Sequence, residues 1–72
     1  MKCLNIEEKI SWVHVSTKNY YGFNRYFMYK IKPSNAKYSV YKLPLAVDEL
    51  INADDYVLIL SGGKLYRYDV PN

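Results

Sequence analysis

Two consecutive glycines, Gly62 and Gly63, separate the unbroken apolar run at residues 56–60 from a second strand-like segment at residues 65–70 that includes Arg67 and Asp69. Paired glycines supply the positive φ angles of a two-residue hairpin loop, so Ser61-Gly62-Gly63-Lys64 predicts a tight turn between two antiparallel strands. Tyr56, Val57, Leu58, Ile59 and Leu60 have the length and type of a buried strand, and Pro71 ends its partner.

The same logic applies upstream. Residues 25–32 and 37–43 read as strands closed by Pro33-Ser34-Asn35-Ala36. Alternation puts Arg25, Phe27, Tyr29 and Ile31 on one face and Tyr26, Met28, Lys30 and Lys32 on the other. The face of Phe27, Tyr29 and Ile31 is expected in the core, leaving a mixed aromatic and cationic face outside. On the second strand Tyr38, Val40 and Lys42 oppose Ser39, Tyr41 and Leu43. Residues 10–17 form a further strand, with Ile10, Trp12 and His14 on one face and Val13 and Val15 on the other.

Residues 18–24, with Gly22 and two asparagines, predict a loop. Asn5 and Glu8 have the spacing of a capping box and predict one helical turn before the first strand. After Pro44, residues 45–53 predict a short helix whose apolar stripe is Val47, Leu50 and Ile51, with Asp48, Glu49 and Asn52 turned to water. The expected fold is α+β and mostly β: a small antiparallel sheet or barrel of about five strands, in the order β-β-β-α-β-β, with one short helix.

At 72 residues the chain makes a single domain, residues 1–72. A chain of this size buries only roughly 60% of its unfolded surface, so self-association as a homodimer is expected. No apolar run approaches the ~20 residues of a membrane-spanning helix, and Met1-Lys2-Cys3-Leu4 leads into no apolar signal core, so a cytoplasmic protein is expected. One cysteine, Cys3, and one histidine, His14, provide neither an internal disulfide nor a set of metal ligands.

Charge is distributed unevenly. Residues 9–42 carry seven basic side chains (Lys9, Lys18, Arg25, Lys30, Lys32, Lys37, Lys42) and no acidic one. Residues 43–72 carry Asp48, Glu49, Asp54, Asp55 and Asp69 against Lys64 and Arg67. Such asymmetry points to an acidic partner, or to attraction between the halves within the fold or across a dimer. Catalytic chemistry is poorly supplied: His14 is one histidine in a predicted strand, and Gly62-Gly63-Lys64 lacks the spacing of a phosphate loop. Neither an enzyme nor a cofactor is expected.

Residues 37–70, with Leu43-Pro44, Asp55-Tyr56-Val57 and Gly62-Gly63-Lys64 in that order, resemble the swapped-hairpin module of AbrB-type transcription factors. Asp54 stands where that family has its usual glycine. The resemblance implies a DNA-binding homodimer of interleaved hairpins.

The residues themselves suggest nucleic-acid binding, with DNA expected ahead of RNA. Arg25, Lys30, Lys32, Lys37 and Lys42 are the candidates for phosphate contacts, and Tyr21, Tyr26 and Tyr38 for stacking on bases or packing on sugars. The alternative is a small protein-binding module whose exposed tyrosines dock on a partner with an acidic surface, such as a host-factor inhibitor encoded by a virus or mobile element.

Overall fold

The structure, a computed structural model, describes Ile6 and residues 9–71. Among these residues it is all β: β1 (Trp12–Val15), β2 (Tyr20–Phe23), β3 (Phe27–Ile31), β4 (Tyr38–Lys42), β5 (Glu49–Asn52), β6 (Tyr56–Ser61) and β7 (Lys64–Asp69). They form a four-stranded sheet, β1-β2-β3-β4, and a three-stranded sheet, β5-β6-β7. Every pairing is antiparallel and joins neighbours in the chain. The chain changes sheets once, along residues 43–48.

Both glycine-rich and proline-led turns form as their residues dictate. Gly62 and Gly63 adopt φ of 57° and 78°, and Ser61 pairs with Lys64 across them. Ala36 closes the β3–β4 turn at φ 59°, a conformation that costs a residue with a Cβ more than it costs glycine.

The expected helix at residues 45–53 is absent, and with it the α+β class. A nine-residue helix has little stability of its own, whereas a strand here gives β6 a second hydrogen-bonded neighbour. Glu49-Leu50-Ile51-Asn52 also fits a period of two, which turns Leu50 into the core and Ile51 outward. Val47 still reaches the core from the extended link, where its N–H donates to the Arg25 carbonyl at 2.8 Å.

The expected loop at residues 18–24 is mostly β2. Its Gly22 is set by close approach: a Cβ there would stand 3.0 Å from Ile10 Cδ1. The helical turn expected from Asn5 and Glu8, and Cys3 with it, lie outside the described residues.

One core joins the sheets. Tyr21, Phe23 and Met28 meet Leu50, Val57 and Ile59, with Leu43, Val47 and Val70 closing the ends and Trp12 and Tyr68 packed against them. Tyr68 stands edge-on to Phe23, ring centroids 6.5 Å apart.

This arrangement reverses the expected faces of β3. Register places Met28 beside Phe23 and Lys30 beside Tyr21, on the inner face, while Phe27, Tyr29 and Ile31 lie outside. Met28 is fully buried, and Phe27 and Ile31 are half-buried. The physical reason is collective: the inner side of a sheet is the one where all its strands supply side chains that the second sheet can cover, and β2 contributes Tyr21 and Phe23 there. Tyr29 is buried all the same, although it lies outside the shared core cluster.

Candidate nucleic-acid interface

The β3–β4 hairpin carries the largest group of cations, and its turn is well braced. The Lys32 N–H donates to the Lys37 carbonyl at 2.9 Å, the Ala36 N–H to the Lys32 carbonyl at 2.9 Å, and the Lys37 N–H to Asn35 Oδ1 at 3.0 Å. These bonds hold Lys32 and Lys37 opposite each other at the base of the turn. Together with Lys30, Tyr38 and Ser39 they line an open cleft of about 350 Å³.

The ion pairs among the described residues are Arg25–Asp48 at 3.6 Å and Arg67–Asp69 at 3.0 Å, and neither involves the cleft lysines. Three lysines thus line one concavity whose lining, among the described residues, includes no carboxylate. Such a group attracts an anion most strongly at low salt.

A second turn lies at the same end of the sheet. Val15, Tyr20, Ile31 and Tyr38 form one row across the four strands, so the β1–β2 turn is adjacent to the β3–β4 turn. Ser16 Oγ accepts the N–H groups of Lys18 and Asn19 at 3.3 and 3.2 Å, which presents Lys18 next to Tyr20. Tyr20 is 45% exposed and Tyr38 38%. The tip therefore combines Lys18, Lys30, Lys32 and Lys37 with two accessible phenol rings.

The eight residues expected to contact nucleic acid do not form one surface. Lys30, Lys32, Lys37 and Tyr38 come together at the tip. Arg25, Tyr26 and Lys42 lie at the other end of the sheet, roughly 13 Å away along β3 at about 3.3 Å per residue. There Arg25 pairs with Asp48 and lies over the Tyr26 ring, 5.8 Å from its centroid. Its charge is already shared within the protein.

Tyr21 is not available at all: it is 0% exposed, and its hydroxyl donates to the Pro71 carbonyl. The period of two in residues 20–23 is the signal that separates it from Tyr20, because adjacent strand residues face opposite ways. Reading those residues as a loop concealed that signal.

His14 is buried, its Nδ1 3.1 Å from Asn52 Oδ1, and its Nε2 has no hydrogen-bond partner. Among the described residues no three of His, Cys, Asp and Glu are grouped to hold a metal ion, and no helix is long and apolar enough to cross a membrane. Comparisons of the chain with protein-family models, curated proteins and solved structures gave no match.

Proposed function

We propose that this chain binds single-stranded nucleic acid with the tip of its four-stranded sheet. The observation that carries this reading is the cleft where Lys30, Lys32 and Lys37 converge beside Tyr38 without a carboxylate partner. Phosphates spaced along a strand satisfy such cations and release counterions on doing so. The exposed rings of Tyr20 and Tyr38 offer faces on which unpaired bases stack, at about 1–3 kcal/mol per base. Duplex DNA presents no such faces, and so single strands are favoured.

A fluorescence-anisotropy titration against single-stranded DNA, single-stranded RNA and duplex DNA, each at low and moderate salt, tests this. Micromolar binding to a single strand that weakens steeply with salt is the expected result. A folded protein that binds none of the three overturns the reading.

A further inference from the structure

The lysines of the cleft are set closer together than a solvated rim requires. Lys30 lies opposite Ser39 across β3 and β4, and Lys32 lies opposite Lys37, its N–H bonded to the Lys37 carbonyl at 2.9 Å. Residues two apart on a strand share a side, so these four side chains emerge on the inner side of the hairpin. Burial falls away along that side: Met28 is fully buried, Lys30 is half-buried, and Lys32, Lys37 and Ser39 are exposed. The three lysines stand where the cover of the second sheet runs out.

Directly opposed residues on one side of a hairpin have Cβ atoms about 5 Å apart, and diagonal neighbours roughly 7–8 Å apart. Lys32 and Lys37 are opposed, and Lys30 and Lys37 are diagonal. Like charges at such positions repel, so the free hairpin is weakened by its own lysines. Among the described residues no carboxylate relieves them, because both ion pairs lie elsewhere and the cleft is lined by Lys30, Lys32, Lys37, Tyr38 and Ser39. An anion held among the three would remove the repulsion.

We propose that the cleft seats a terminal phosphate of the bound strand, so that the protein holds a phosphorylated end in preference to an internal stretch. This rests on the single-strand reading above and narrows it. An internal phosphodiester carries a single negative charge. A phosphomonoester carries roughly −1.5 to −2 at neutral pH and offers three strong acceptor oxygens. Three ammonium donors match that charge and that set of acceptors, and the Ser39 hydroxyl adds a further donor. At about 350 Å³ the cleft is at the small end of ligand sites, the scale of one strand end and not of a run of nucleotides.

The test is an anisotropy titration of the purified full chain against one short single-stranded DNA, labelled internally, in three forms: hydroxyl at both ends, phosphate at the 5′ end, and phosphate at the 3′ end. A phosphate at one of the ends should tighten binding roughly tenfold, the scale of a hydrogen bond to a charged group. A hydroxyl-ended strand one nucleotide longer has one more internal phosphate and should gain no more than about twofold. Lys37→Gln should bring the ratio between phosphorylated and hydroxyl forms to about one. Without nucleic acid the same variant should melt roughly 2–4 °C higher than the wild-type chain, because a repelling charge is gone. Lys37→Arg keeps the charge and should keep both the preference and the wild-type melting temperature.

Equal affinity for the three forms, or an equal gain from the longer strand, overturns the proposal and leaves single-strand binding standing. A folded protein that binds none of them overturns both. A Lys37→Gln chain that keeps the preference, or melts no higher than wild type, also overturns the proposal. If that variant does not fold, the strand forms tested against the wild-type chain still decide.

Discussion

Asn52 holds His14 from the opposite sheet: its Oδ1 lies 3.1 Å from His14 Nδ1, and its Nδ2 donates to the neighbouring Val13 carbonyl at 3.0 Å. One side chain of β5 thus ties down both the backbone and the buried ring of β1. With the amide oxygen as acceptor, the Nδ1 proton of the ring is the donor, and Nε2 is left as the unpartnered nitrogen.

Asn52→Ala removes both bonds and leaves the ring unpartnered at Nδ1 as well. We expect a loss of about 1–3 kcal/mol in a denaturant titration, with an unchanged β signature in circular dichroism. A loss within error of zero would mean that the clamp contributes nothing.

Ala36, at φ 59°, holds the β3–β4 turn in a conformation that favours glycine. Ala36→Gly is expected to be neutral or to stabilise by up to ~1 kcal/mol, and Ala36→Val to destabilise by ~1–2 kcal/mol. Thermal melts of the two variants should shift in opposite directions or, at the least, differ in that order.

Within the hairpin, the structure separates residues that should affect binding from residues that should affect folding. Tyr21→Phe removes the bond to the Pro71 carbonyl and should cost ~1 kcal/mol of stability with no change in single-strand affinity. Tyr38→Ala should weaken binding by about tenfold or more, in keeping with the loss of one stacked base; it also removes the edge-on contact with the Tyr29 ring at 5.9 Å, so affinity is compared on protein whose β signature in circular dichroism is unchanged. Lys30→Ala with Lys32→Ala should lower the slope of log affinity against log salt by ~1.4, at ~0.7 per phosphate contact. Arg25→Ala, which acts at the far end, should leave that slope unchanged.

The Tyr68 hydroxyl is held above the ordinary tyrosine value of 10.0, first by burial and then by the nearby Tyr41. A raised value in the folded state means that the neutral phenol is favoured there. Its contribution is fully present below pH 10.0 and is lost as pH rises through the higher folded value. Stability should therefore fall on the alkaline side, and Tyr68→Phe should fall less steeply over that range. Parallel melts of both chains against pH would show it.

How much of this was legible in the residues differs from element to element. The β6–β7 hairpin and the β3–β4 hairpin depend on turn chemistry within a few residues, so Gly62-Gly63 and Pro33-Ser34-Asn35-Ala36 announce them. The tip cations were legible for the same reason, because Lys30, Lys32 and Lys37 flank one turn. β5 was not legible: residues 45–53 satisfy a helical stripe and a strand alternation equally well, and only a free edge on β6 decides between them.

The amino-acid sequence by itself determined a β-rich chain, the two hairpins with their turn types, and the basic first half set against an acidic second half. The tertiary structure alone decided which side of the four-stranded sheet is the core. It also decided that Tyr21 is buried while Tyr20 is exposed, and that Arg25 lies beside Asp48 at the end of the sheet away from the lysine cleft. The reason is that turn conformation is set by neighbours a few bonds away, whereas facing and pairing are settled only when a second sheet arrives to cover one side and leave the other to water.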